Sequence, residues 1–219
     1  MRPFPVVLSA PSGVGKTTIA RELMARRSDV GYSVSCTTRA PRPTETNSAD
    51  YHFISEDEFV ARTGRGEFAE WAMVHGKRYG TLRSEVQRVL DAGQHVLMDI
   101  DVQGARQFVL SFPESVLVFV LPPSVEALVD RLRSRNTETD AELAERLRNA
   151  HSELQEFGRY KYVLVNDNLD AAVETVSAII DAESVKQDRV HALDEQVSRL
   201  ITRLDEQIAQ YNSLSAATK

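Results

Sequence analysis

Apolar residues follow two rhythms along the chain. Unbroken runs at Val6-Val7-Leu8, at Val96-Leu97-Met98, from Ser115 to Leu121 and at Tyr162-Val163-Leu164-Val165 read as short strands buried on both faces. Between them, apolar residues at steps of three and four read as helices. Ile19, Leu23 and Met24 mark one from Thr17 to about Arg27; others are expected from Thr81 to Ala92, from near Gln103 to about Ser111, from Ser124 toward Leu132, and from about Leu169 to Asp188. Gly93 fits the C-cap of the second of these. Strand and helix in alternation predict an α/β fold with a parallel sheet flanked by helices.

The rhythm breaks between Asp50 and Arg78. Tyr51 to Ile54 reads as a short strand, Ser55 to about Ala61 as a helix that Ser55 caps and Glu58 boxes, and Glu67 to Val74 as another strand. This predicts a small mixed α+β insertion over residues 34–81 in a core made of 1–33 and 82–188. A tail, 189–219, carries Val190, Leu193, Val197, Leu200, Leu204 and Ile208 at steps of three and four. An amphipathic helix there either packs on the core or seeks a partner helix, so a homodimer is one expectation.

Ser9-Ala10-Pro11-Ser12-Gly13-Val14-Gly15-Lys16-Thr17-Thr18 joins the first strand to the first helix. A glycine-punctuated turn that restarts as a helix aims several backbone N–H groups, and the positive end of the helix dipole, into one cavity. That cavity holds phosphates. In the P-loop pattern Lys16 reaches the outer phosphates and Thr17 places its hydroxyl on Mg²⁺. Ala10 stands where the pattern asks for glycine, which matters only if that position needs a left-handed backbone.

Three further segments carry chemistry. Arg39 and Arg42, in a proline-rich stretch that cannot be helical, could converge on one phosphate, with Ser35 and Tyr51 as neutral donors, or could form a solvated basic loop. Asp99 and Asp101 end an apolar strand and share one face of it, where a P-loop enzyme positions its metal or where an aspartate caps the next helix. Arg131 and Arg135, four apart, and then Arg146, lie on a predicted helical hairpin. Residues 133–148 could close as a lid over a triphosphate, excluding water.

The net charge of −6 argues against a general nucleic-acid binder, so an anionic substrate must meet locally concentrated Arg and Lys. A single cysteine, Cys36, leaves no intrachain disulfide and no thiolate zinc cluster. No run approaches membrane length and prolines interrupt the N-terminal apolar stretch, so the cytoplasm is the expected location.

With these segments in one order, the chain resembles bacterial guanylate kinases from about Val6 to about Ile180. The resemblance is carried by Ser9 to Lys16, Val34 to Pro43, Glu67-Phe68-Ala69-Glu70-Trp71-Ala72, Tyr79-Gly80-Thr81, Asp99-Ile100-Asp101-Val102-Gln103-Gly104, Leu121-Pro122-Pro123 and Val165-Asn166-Asp167. It implies a P-loop nucleoside monophosphate kinase fold with a GMP-binding insertion and a helical lid, and transfer of the γ-phosphoryl group of ATP to GMP with Mg²⁺. It further implies that Ser35, Arg39, Arg42, Tyr51 and Tyr79 hold the GMP phosphate while Glu70, Thr81 and Asp101 read guanine. Residues 10–18 would hold ATP, Thr17 and Asp99 the metal, and Lys16, Arg39, Arg131, Arg135 and Arg146 the charge on the moving phosphoryl group. In that family Ala is a familiar occupant of the position of Ala10. One departure is the stretch 44–49, which lacks the family's usual glycine-containing turn.

The chemistry agrees with these roles. Guanine offers an N1–H and an amino group to carboxylate acceptors, whereas adenine would set a lone pair against Glu70. A catalytically silent interaction module and a kinase of another small acceptor, such as a sugar phosphate, are the competing classes. The first has no need of Lys16, Thr17 and Asp99 together, and the second no need of a base-reading set.

Overall fold

The computed structural model describes residues 2–43, 45–49, 51–74, 76–133, 139–190 and 193–217. In chain order the elements are β1 (Pro5–Ser9), α1 (Lys16–Arg26), β2 (Val30–Tyr32), β3 (Cys36–Thr37), β4 (His52–Phe53), α2 (Glu56–Gly64), β5 (Phe68–Val74), β6 (Lys77–Leu82) and α3 (Arg83–Asp91). There follow β7 (His95–Asp99), α4 (Val102–Ser111), β8 (Val116–Leu121), α5 (Val125–Arg133), α6 (Asp140–Leu154), β9 (Tyr162–Val165), α7 (Leu169–Ser184) and α8 (Leu193–Ala217).

Pro3–Ile180 forms one compact unit. Its larger sheet has the order β2-β7-β1-β8-β9, with every neighbouring pair parallel. The apolar runs supply its interior: Val6, Val7, Leu8, Val96, Leu97, Val116, Val118, Phe119 and Val120 are fully buried, as continuous hydrophobic strands between helical layers must be. One face packs on Ile19, Leu23, Leu128, Leu132, Val173 and Val176, the other on Val86, Val89, Ala105 and Phe108. This is the parallel, helix-flanked sheet that the alternation of strand and helix predicts. Ligands of such sheets bind beyond the carboxyl ends of the strands, and β1 and β7 both end there, with Leu8 opposite Asp99 in the register.

The smaller sheet has the order β4-β3-β6-β5 and is mixed: β3 and β4 run parallel, whereas β6 is antiparallel to β3 and to β5. Phe59 of α2 stacks on Phe68 beneath it, at 4.3 Å between ring centroids, and with Cys36 and Leu82 makes a small separate core. Burial pushes the Cys36 thiol up to about 11, as for a packing residue. One element differs from the sequence expectation. Residues 77–82 continue as β6, so Thr81 lies on a strand, paired with Glu70, and α3 starts only at Arg83. Pairing with β5 outweighs local helical spacing there.

Arg2 and Asp181–Ala217 belong to a second unit. Within it the wholly buried carboxylate of Glu183 pairs with Lys186 and, at 3.4 Å, with Arg189. Helix α8 exposes Val197, Leu200, Ile201, Leu204 and Ile208. Among the described residues no helix is long and apolar enough to cross a membrane.

Candidate active site

The turn after β1 has the conformation a phosphate cradle needs. Gly13 and Gly15 take φ values of 89° and 102°, and Gly15 precedes α1 with no side-chain cap and no acidic residue in the first turn, so the positive helix end is left for an outside anion. Ala10 is wholly buried and is not among the residues with positive φ; among the described non-glycine residues only Ser48 is. Alanine therefore fits the position without strain. Pro11 and Val14 are buried, while Ser12, Thr17 and Thr18 are exposed.

Other elements brace this loop. Asn166, just beyond β9, donates from Nδ2 to the Val14 carbonyl at 2.7 Å. Arg131 donates to the same carbonyl and to the Asn166 carbonyl, both at 3.0 Å. Arg146 on α6 donates to the Ser12 hydroxyl at 2.7 Å, and Lys16 Nζ to the Ala10 carbonyl at 2.7 Å. Two of the three expected lid arginines thus already face the loop. Arg135 lies outside the described residues. Glu153, not singled out from the sequence, also faces the loop: its carboxylate accepts from the Ser12 backbone, and burial raises its pKa against the pull of Lys16.

Thr17 and Asp99, far apart in sequence, meet at the strand ends, with Thr17 Oγ1 donating to Asp99 Oδ2 at 2.6 Å. The other carboxylate oxygen accepts from the Tyr32 hydroxyl at 2.8 Å. Tyr32 has its pKa raised by burial and by the Asp99 charge, so it remains a donor. Nothing in the sequence around Tyr32 marks it; only the pairing of β2 with β7 brings it to Asp99.

Glu70, Thr81 and Asp101 come together at the edge of the smaller sheet and the start of α4. Thr81 Oγ1 donates to Glu70 Oε1 at 2.6 Å and contacts Ser35 Oγ at 3.2 Å, which places Ser35 beside this pair. Asp101 caps α4, accepting from the Gly104 N–H at 2.7 Å, so the capping role and a place in the cluster coexist. A Cβ on Gly104 would stand 2.8 Å from Glu70 Oε2 and 3.4 Å from Asp101 Oδ1. The two carboxylates therefore flank residue 104. Burial, with Asp101 adding to it against the Thr81 hydrogen bonds, lifts the Glu70 carboxyl to about 7.

Arg39 is packed among aromatic rings, its Cζ 5.3 Å from the Tyr51 centroid and 5.6 Å from that of Phe53, and its Nε donates to the Tyr79 hydroxyl at 3.1 Å. Tyr51 and Tyr79 meet edge to face at 5.9 Å. The Arg42 side chain is mostly exposed. Arg39 also makes a two-pronged pair with Glu45, at 2.7 and 2.8 Å, which sequence reasoning missed. The stretch without glycine takes its left-handed residue at Ser48, with φ 64° and a hydrogen bond from its N–H to the Tyr51 carbonyl.

A family model described as guanylate kinase matches residues 2–183. Guanylate kinase from Thermotoga maritima is 46% identical over 183 residues, covering 84% of this chain and 88% of that one. Guanylate kinase from Sphingopyxis alaskensis is 47% identical over 184 residues, covering 84% of each chain. The crystal structure of guanylate kinase from Anaplasma phagocytophilum superposes with a TM-score of 0.72 at 34% identity, over 88% of this chain and 92% of that one. The likeness extends across both sheets and every segment in which the motifs lie, and the chain belongs to the guanylate kinase family.

Proposed function

We propose that this chain transfers the γ-phosphoryl group of ATP to GMP, and to dGMP, yielding ADP and the guanosine diphosphate. The observation that carries the reading is the pair of carboxylates, the buried Glu70 and the partly buried Asp101, brought together at Gly104, with the Thr81 hydroxyl bonded to Glu70. Two carboxylates can accept from the N1–H and amino group of guanine, and a threonine hydroxyl can donate to O6.

ATP is read into residues 10–18, its phosphates on the loop N–H groups and Lys16. For that, Lys16 exchanges the Ala10 carbonyl for phosphate oxygen, and Arg131 and Arg146 turn from Val14 and Ser12 toward the transferred group. Arg135 completes this set on the lid. Thr17 and Asp99 would hold Mg²⁺, directly or through water: a hydroxyl and a carboxylate already 2.6 Å apart are the hard oxygen donors that ion prefers. The ion would supply charge neutralisation on the ATP phosphates. Ser35, Arg39, Arg42, Tyr51 and Tyr79 anchor the acceptor's phosphate, fixing its oxygen in line with the donor. Such transfer needs positioning and positive charge more than covalent help.

The reading carries a cytoplasmic location with it. It also includes self-association through the exposed apolar stripe of α8, for which a second copy of the same helix is the natural cover. Sedimentation of the full chain against one ending at Asp188 tests that contact; unchanged size removes it.

The test of the activity is ADP production from ATP and Mg²⁺ with GMP, dGMP, AMP, CMP, UMP and a phosphosugar as separate acceptors. Turnover confined to guanine nucleotides is the expected result. ATP binding with no turnover would favour an interaction module, and turnover with the phosphosugar alone would discard the roles of Glu70, Thr81 and Asp101.

A further inference from the structure

We propose that Glu45 is a positioning residue of the phosphate anchor: it grips one edge of the Arg39 guanidinium and the backbone of Arg42, so that the other edge of Arg39 faces the acceptor's phosphate together with Tyr79. The inference rests on the reading of Arg39 as that anchor, and deepens it.

A guanidinium carries five N–H bonds in a fixed plane. In Arg39, Nη1 gives one to the Ala40 carbonyl at 2.9 Å and one to Glu45 Oε2 at 2.7 Å, and Nη2 gives one to Glu45 Oε1 at 2.8 Å. Glu45 therefore occupies the end-on edge, between Nη1 and Nη2. The side-on edge keeps the second Nη2 hydrogen beside Nε, whose own hydrogen goes to the Tyr79 hydroxyl at 3.1 Å. That hydroxyl accepts from Arg39 and so has its proton to give. A phosphate arriving at this edge meets an Nη2–H and an O–H side by side, with no need to evict Glu45.

The alternative is that Glu45 merely stands in for phosphate and is displaced by it. Its other bonds oppose this. Glu45 Oε2 also accepts from the Arg42 N–H at 2.8 Å, and the Glu45 N–H donates to the Arg42 carbonyl at 3.0 Å, so the carboxylate belongs to the turn that carries both arginines. The Arg39 and Glu45 side chains are 17% and 13% exposed, shielded enough for a two-pronged pair to hold its geometry. The Arg39 guanidinium, with the Arg42 N–H, holds the Glu45 carboxyl down to about 2, so it is ionised at any working pH.

The two models give opposite signs. Removing a support weakens GMP binding, whereas removing a competitor strengthens it. Glu45→Gln keeps the side-chain volume and one acceptor, and Glu45→Ala removes both; each is measured with GMP varied at saturating ATP, alongside the unaltered chain. The expected result is a KM for GMP raised about five- to tenfold in Glu45→Gln and more in Glu45→Ala, with kcat and the KM for ATP within about twofold. In an Arg39→Ala background, Glu45→Ala should lower kcat/KM for GMP by less than about twofold further, since the two residues act through one another. A KM for GMP that falls or stays level, a parallel rise in the KM for ATP, or an undiminished effect without Arg39 would each overturn the proposal. Should Glu45→Ala melt at a lower temperature, the isosteric Glu45→Gln decides. No GMP turnover by the unaltered chain would remove the anchor reading itself and this proposal with it, an outcome distinct from normal turnover that ignores Glu45.

Discussion

Glu70 Oε2 and residue 104 are in such close approach that a β-carbon added to Gly104 would sit 2.8 Å away, inside van der Waals contact. Glu70 cannot retreat freely, because it is buried and tied to Thr81 through its other oxygen. Gly104→Ala should therefore shift the carboxylate by tenths of an ångström. Its backbone is helical, so alanine should be favoured there by up to about 1 kcal/mol of helix propensity. Kinetics on this variant should show a KM for GMP raised on the order of tenfold, with KM for ATP unchanged and thermal stability not lowered by more than about 1 kcal/mol.

The Glu70 carboxyl, lifted by burial to about 7, should make acceptor recognition sensitive to pH. Only the ionised form accepts from both guanine donors, so the KM for GMP should rise as pH falls, by roughly tenfold between pH 8 and pH 6. The stability effect has the opposite slope. The folded-state pKa lies above that of the unfolded chain, so the folded state holds the proton to higher pH; this stabilisation is present in acid and is lost as pH rises from about 4.5 through about 7, by up to about 3 kcal/mol. Glu70→Gln should flatten that part of both profiles, which GMP titrations and denaturant melts across the range would measure. It should also erode the preference for GMP over AMP more than it weakens phosphate anchoring.

Lys16→Ala should reduce turnover by about 10³-fold or more while leaving the melting temperature within a few degrees. The residue is only partly buried and its described bond is to a loop carbonyl, so its loss opens no core. Near-normal turnover in a folded variant would refute the P-loop assignment.

Asp99→Asn should raise the Mg²⁺ concentration needed for half-maximal activity by about tenfold, since it removes the charge between Thr17 and Tyr32. Tyr32→Phe removes one hydrogen bond and should move the same titration in the same direction by less. An identical Mg²⁺ curve in Asp99→Asn would detach this carboxylate from the metal.

What could be read from the sequence was what is local. β1, the glycine turn and α1 are contiguous and carry their own periodicity and punctuation, so loop and helix were legible together. The helical spacing of its neighbours downstream predicts a helix at Thr81, while the partner that makes it a strand, Glu70, lies across a hairpin. Tyr32 and Glu45 carry no periodic signal: one is a tyrosine at a strand end, the other a charge in a polar stretch, and each gains meaning only from a side chain brought to it by folding. Ala10 illustrates the converse. Its departure from the glycine pattern matters through φ, which sequence cannot supply and the backbone does.

The brace between Asn166 and Val14 spans 152 positions of chain. In a polypeptide emerging from the ribosome, the glycine turn precedes the amide that holds it by those 152 positions. The edge strand just before it, β9, must also have paired with β8. Nucleotide therefore has no finished cradle to select until β9 has emerged and paired, and only from that point can a bound nucleotide draw the protein toward its native state.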